Sequence, residues 1–217
     1  MNDAKNKPSI LVVDDVPENI DILSGLLKDD YRVRAATNGP AALSLVKKSL
    51  PDLILLDINM PGMDGYEVCR QLKSDISTRK IPVIFVTAMG EVEDEAHGFS
   101  VGCVDYITKP VSPSVVMHRI KTHLALYDQN RGLETLVKDR TAELEQTRMQ
   151  VIHRLGRAAE YRDNETGMHV IRMSHFAYSI ALAAGMSRDE AALLLNAAPM
   201  HDVGKIAIPD QILLKPG

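Results

Sequence analysis

Several things are scarce in this sequence. There are two cysteines, Cys69 and Cys103, outside any Cys-x-x-Cys pair. That excludes a disulfide scaffold and suits a reducing compartment. Tryptophan is absent and aromatic residues make up 4% of the chain, which argues against a base-stacking platform. Neither sign of charge dominates: 25 basic residues face 29 acidic ones, for a formal charge of −4. There is thus no general attraction toward nucleic acid or an anionic membrane. No apolar run approaches the ~20 residues needed to span a bilayer. The run behind the polar N-terminus, Ile10–Val13, stops at two aspartates and is too short for a signal-peptide core. Repeats and low-complexity segments are missing too. The expectation is a soluble, cytoplasmic protein with no membrane or DNA partner.

What is present is ordinary for a globular chain: 217 residues, 45% apolar and 25% charged. At about 150 residues per domain, that length suits one or two domains. The first 125 residues alternate between short β-branched runs and helical patterns. The runs are Ser9–Val13, Arg32–Ala35, Leu53–Leu56, Val83–Val86 and Val104–Ile107; the patterns are Asn19–Leu27, Pro40–Leu50 and Gly65–Lys73. The third and fourth runs are apolar at successive positions, as strands buried on both faces must be. This alternation predicts an α/β domain with a doubly wound, five-stranded parallel sheet.

At Ser112-Pro113 the pattern changes to one long helix, with Ser112 as its cap and Pro113 in its first position. Between there and about Met149 there is no further proline. Leu126 and Leu133 form one column seven residues apart, and Val137, Leu144 and Val151 form another, with Arg140 and Thr147 interrupting the first. We read residues 126–150 as a linker helix with an imperfect coiled-coil seam, and so expect a homodimer. Residues 151–217 are helical again. They are rich in small side chains and carry seven basic and seven acidic residues.

Two clusters carry chemistry. In the first part, Asp14-Asp15, Asp57, Thr87-Ala88 and Lys109-Pro110 all fall at the carboxyl ends of predicted strands, the edge where open α/β sheets bind ligands. Clustered carboxylates suit a hard cation such as Mg²⁺. A carboxylate can act as a nucleophile toward phosphorus, and a lysine stabilises the charge that develops. In the second part, Glu165 and His169 are spaced to share a helix face, with Arg172 one turn on. His201 and Asp202 are adjacent, with Lys205 one turn beyond if that helix continues. Mixed histidine and carboxylate ligation suits Fe, Mn or Zn and the hydrolysis of phosphate esters.

The segments Val12–Asp15, Leu55–Gly65, Val86–Ala88 and Asp105–Pro110 resemble the receiver domains of two-component response regulators over about residues 8–125. The resemblance implies Asp57 as phosphoacceptor, receiving its phosphoryl group from a cognate histidine kinase or phosphotransfer protein. It implies Mg²⁺ held by Asp14, Asp15, Asp57 and the carbonyl of Asn59. Thr87 would be the switch hydroxyl, Tyr106 its coupled aromatic and Lys109 the phosphoryl contact, with the Lys109–Pro110 bond cis. Arg162–Ser174 and Ala198–Asp210 resemble the HD-GYP subgroup of HD-type metal-dependent phosphohydrolases, which hydrolyse cyclic di-GMP. That implies metal ligation by Glu165, His169, His201 and Asp202, with Lys205 near the substrate phosphate.

The later histidines, the Gly-Tyr-Pro loop and the last metal-binding aspartate of that subgroup have no counterpart in the 15 residues after Asp202. This part is therefore expected to be a partial all-α HD domain, inactive by itself, within a phosphorylation-controlled cyclic di-GMP phosphodiesterase. The alternative is a signalling and dimerisation module without hydrolase activity. A DNA-binding regulator ranks last, since the second half has no basic excess.

Overall fold

In a computed structural model of the chain, residues 7–88, 98–160, 169–213 and 215 are described. The expected segment Arg162–Met168, with Glu165, lies outside them, as does His97. Contacts within the chain group it into two compact units, residues 1–133 and 134–217.

The first unit is built on β1 (Ser9–Val13), α1 (Pro17–Leu27), β2 (Arg32–Ala36), α2 (Gly39–Lys48), β3 (Leu53–Asp57), α3 (Gly65–Ser74), β4 (Val83–Ala88), β5 (Asp105–Lys109) and the first turns of α4 (Pro113–Glu160). The five strands are parallel, in the order β2-β1-β3-β4-β5. Every residue of β1 and β3 is buried, because helices cover both faces of the central strands. Strand alternation sends Leu11, Val13, Ile54, Leu56 and Phe85 to one side, where α2 and α3 supply Val46, Val68 and Leu72. Ile10, Val12, Leu55, Ile84 and Val86 go to the other side and meet Leu23 and Leu27 of α1 and Val116, Ile120 and Leu124 of α4. Each large apolar side chain fully buried in this way contributes about 1.5–3 kcal/mol.

Local chemistry sets the helix ends. Asn38 accepts the amide of Ala41 at 2.9 Å and Asp64 that of Glu67 at 2.7 Å, each capping the helix that follows. Edge strand β2 carries Arg32 and Arg34, and charge on an edge discourages further strand pairing. The Arg34 guanidinium also donates to the carbonyls of Leu45 and Ser49 at the end of α2.

The second unit contains the rest of α4, then α5 (His169–Ala183), α6 (Arg188–Ala197), two 3₁₀ turns (Ala198–Met200 and Val203–Ala207) and α7 (Asp210–Leu213). Its interior is made of small residues: Ala159, Val170, Ser174, Ala181, Ala191 and Pro199. A β-carbon on Gly156 would lie 2.5 Å from the Pro199 carbonyl oxygen, so a glycine is required where α4 meets that turn. Ser187 and Glu190 form a reciprocal capping box at the start of α6. Phe176, Ile180, Leu193 and Ile212 stay exposed. Among the described residues no helix is long and apolar enough to cross a membrane.

Candidate functional site

The parallel register places the chemical groups of the first unit. β1 ends at Val13, one residue before Asp14-Asp15, and Asp57 is the last residue of β3. Thr87 and Ala88 close β4, with Ala88 opposite Lys109, the last residue of β5. Asp14, Asp15 and Asp57 bring carboxylate oxygens within 4.8 Å of one another, which among the described residues no other cluster of metal-ligating groups does. Asp14 is 1% exposed and Asp57 4%. The Lys109 ammonium reaches both, donating to Asp14 Oδ2 at 2.8 Å and lying 3.0 Å from Asp57 Oδ1. Asp14 is held further by the amide of Val16 and the side-chain amide of Asn19, each donating to Oδ1 at 2.9 Å.

The electrostatics follow from this packing. Burial raises the Asp57 carboxyl above the usual carboxylate range, against the pull of Lys109. Burial alone would lower the Lys109 ammonium, but its contacts with Asp14 and Asp57 outweigh that and hold it above its ordinary value. Three carboxylates with one ammonium leave an excess of negative charge at hard oxygen donors. This donor set fits Mg²⁺.

Thr87 is half-buried and donates its hydroxyl to the Ala88 carbonyl at 3.0 Å. Tyr106 is buried, its ring 5.7 Å from Phe85 and edge-on to Phe99 at 5.1 Å. Its hydroxyl lies 1.9 Å from where a β-carbon on Gly98 would stand. Gly65 leaves similar room: a β-carbon there would lie 2.2 Å from the Asp57 carbonyl oxygen. Asn59 is exposed just past β3, and the Lys109–Pro110 bond is cis.

One cluster escapes the sequence reading. Asp105 on β5 accepts from Arg119 of α4 and lies 3.0 Å from His123 Nε2. Burial would raise the Asp105 carboxyl, but those two partners and the Tyr106 amide hold it below the usual range. Sequence reasoning treats His123 as a surface or packing residue. The available signal is the one-turn spacing of Arg119 and His123 on a helix that follows an aspartate-containing strand.

In the second unit His169 begins the described part of α5, and its ring centroid is 6.4 Å from that of His201. His201 Nε2 lies 3.1 Å from Asp202 Oδ2, and the Lys205 ammonium is 2.8 Å from the same oxygen. The chain does not continue here as an α-helix. A 3₁₀ turn follows Asp202, so Lys205 pairs with Asp202 three residues back rather than stacking over His201. The Lys205 contact lowers the Asp202 carboxyl below its usual range. His169, His201 and Asp202 do not bring their ligand atoms within 4.8 Å of one another.

Comparison with known proteins agrees with this division. The response regulator receiver domain pattern matches residues 10–121, and the HD domain pattern matches residues 166–217. A Vibrio cholerae protein named "Probable cyclic di-GMP phosphodiesterase" is 43% identical over 96% of this chain and 51% of its own length. The "Cyclic di-GMP phosphodiesterase response regulator RpfG" of Xanthomonas campestris is 36% identical over 96% of this chain and 58% of its own. The chain thus spans little more than half the length of these curated relatives. The chemotaxis protein CheY4 of Vibrio cholerae superposes on 54% of this chain and 98% of its own, with a TM-score of 0.52 and 27% identity. With a receiver pattern over half its length and an HD pattern behind it, the chain belongs to the response regulators, as a receiver domain fused to HD-domain sequence.

Proposed function

We propose that Asp57 accepts a phosphoryl group and that this event regulates an HD-type output, the hydrolysis of cyclic di-GMP. The observation that carries the first part is the Lys109 ammonium held between Asp14 and Asp57 beside a third carboxylate, Asp15. A carboxylate oxygen of Asp57 attacks the phosphorus of a phosphorylated side chain on a kinase or phosphotransfer protein. The new P–O bond forms as the donor's bond to phosphorus breaks, leaving an acyl phosphate on Asp57. Lys109 meets the phosphoryl oxygens with a fixed positive charge. Asp14, Asp15, Asp57 and the Asn59 carbonyl would hold Mg²⁺, which neutralises phosphoryl charge when bound.

The Thr87 hydroxyl then turns from the Ala88 carbonyl to the phosphoryl group, and the Tyr106 ring fills the space it leaves. Phosphorylation biases this arrangement only by as much as it favours one state over the other. In functional terms we take residues 1–125 as the receiver, 126–150 as the linker and 151–217 as HD sequence. Two copies pair through the column Leu126, Leu133, Val137, Leu144 and Val151, and the protein works in the cytoplasm.

For the output, His169, His201 and Asp202, with Glu165, are the residues to hold Fe, Mn or Zn, and Lys205 is the phosphate contact. The alternative, a switch and dimerisation module without hydrolysis in this chain, is favoured by a specific observation: among the described residues His169 does not join His201 and Asp202 in a common ligand cluster, and Lys205 already engages Asp202.

Acetyl phosphate with Mg²⁺, read by intact mass, tests the first part. One phosphoryl group should add to the chain and none to Asp57→Asn. Uptake by Asp57→Asn at the parent rate would sink the assignment. Cyclic di-GMP turnover with Mn²⁺ or Fe²⁺, compared with His201→Ala, separates the two outputs.

A further inference from the structure

Near its end, helix α4 presents bare backbone to two histidine-bearing segments of the second unit. Gly156 is buried there, as is Ala159 three residues on. A β-carbon on Gly156 would stand 2.5 Å from the Pro199 carbonyl oxygen and 3.4 Å from Val170 Cγ1. Pro199 comes two residues before His201, and Val170 directly follows His169. One position on α4 therefore faces both segments at once.

Each contact is a short step from an imidazole. The carbonyl of Ala198, next to Pro199, accepts the His201 backbone amide at 3.1 Å and lies 3.0 Å from His201 Nδ1. Nε2 of the same ring then faces Asp202 Oδ2 at 3.1 Å. The Ala198–Met200 turn thus sets the direction of the His201 ring. On α5, Val170 is buried, and its carbonyl accepts the buried Ser174 hydroxyl at 2.7 Å. Successive helical residues point about 100° apart. Val170 packed inward therefore leaves His169 half-buried beside it, with its ring centroid 6.4 Å from that of His201. Close-packed contacts of this kind have little give. At Gly156 no flexible side chain stands between the helix and the turn to absorb a displacement.

We propose that Gly156 is a positioning residue for the HD-type site: the α4 backbone there seats both the Ala198–Met200 turn and Val170, and so fixes the separation of His169 and His201. A rotation or slide of α4 reaches both rings through this one seat. The Pro199 contact is the tighter of the two, so His201 responds more than His169. The inference deepens the output reading above and rests on it for the role of the two histidines as ligands.

NMR of the full chain, with the histidine rings labelled at Cε1, tests it without metal. In Gly156→Ala the His201 signal should move most and the His169 signal less, while those of His118 and His123 in the first unit stay in place. Ser187→Ala is the control. It removes the capping box of α6 and lowers stability, and it should leave the His169 and His201 signals unmoved. A lower melting temperature in Gly156→Ala with both rings unmoved would show a merely structural glycine and overturn the proposal. Equal ring movements in Ser187→Ala would overturn it as well. Val170→Ala reaches the same seat by removing volume, which covers the case of an alanine at 156 that does not fold. There the His169 signal should move more than that of His201; movement of neither would overturn the proposal.

Zn²⁺ added to the same samples gives a second readout. In the wild type it should shift both ring signals together, and Gly156→Ala should bind it about tenfold more weakly, as loss of a supporting contact does. Equal affinity in the two would overturn the proposal. Zn²⁺ that shifts neither ring in the wild type would instead remove the metal reading beneath it, and the metal-free signals would still decide whether Gly156 sets the two rings.

Discussion

Both units carry carboxylates beside a lysine, yet they use them differently. In the receiver, Asp57 ends β3 and Lys109 ends β5, on either side of β4 in one parallel sheet, and Asp14 follows β1. The ladder register fixes their separation, and burial removes the water that would let them drift. In the second unit His201, Asp202 and Lys205 follow one another on short 3₁₀ turns with partly exposed side chains. Adjacent residues can satisfy each other locally, and Lys205 and Asp202 do. A site assembled from distant strands is specified by the fold, whereas one read from neighbouring residues requires other elements to pull its members toward a common point.

The largest expected effect sharpens that contrast. Lys109→Met should slow phosphorylation of Asp57 about a hundredfold, as loss of a preorganised charge contact does. It should also cost about 2 kcal/mol of stability, because buried carboxylates lose their partner. Lys205→Met should leave phosphorylation unchanged and shift stability by less than about 0.5 kcal/mol, because the pair is partly exposed. Rate measurements with acetyl phosphate and urea titrations would show both. Equal losses in the two variants would break the comparison.

A second pair of substitutions tests whether the units fail independently. Leu55→Ala empties a fully buried position in the sheet and should cost about 2–5 kcal/mol. Gly156→Ala sets a methyl group against the Pro199 carbonyl and should lower the melting of the second unit, with phosphoryl uptake by Asp57 intact. Calorimetry should assign each loss to its own transition. One shared transition would mean that the units unfold together.

The smallest effect concerns pH. Asp105 is held below its ordinary range, so the folded protein binds its proton less readily than the unfolded chain does. Its contribution is present above the ordinary value of 3.8 and is lost as pH falls below it through the lowered folded value. The groups facing it are Arg119 and His123 on α4. Acidification through this window should loosen the start of α4 from β5, seen as faster hydrogen exchange at Val116–Ile120. Asp105→Asn should exchange faster at pH 6 and show a flatter response.

The fold was legible because its signals are local. Runs such as Leu53–Leu56 are apolar on both faces, as strands buried on both sides are, and their regular alternation with helical patterns selects a parallel sheet. The strands nevertheless run on to Ala36, Asp57, Ala88 and Lys109, since backbone ladders continue for a residue or two after apolar side chains stop. The long helix continues beyond Met149 to Glu160, because Gly156 packs against Pro199 and does not end it. The positions of Asp14, Asp57, Thr87 and Lys109 at one edge followed from strand ends. The Asp105–Arg119–His123 cluster did not, since its members come from a strand and a helix whose approach only tertiary packing decides. The turn after Asp202 was missed for a similar reason: Met200–Lys205 is polar and glycine-containing, and both an α-helix and a 3₁₀ turn accept such a sequence.

The absent side chain of Gly98 has one further consequence. The Tyr106 hydroxyl fills the volume that even a single methyl group on residue 98 would claim. In the switch proposed above, residue 98 would act as a stop on the travel of that ring, and its size would bias the balance between the two arrangements. An alanine there would hold the aromatic side chain out with Asp57, Thr87 and Lys109 all intact. On that proposal, sensitivity to phosphorylation would be adjustable from a position that handles no phosphate.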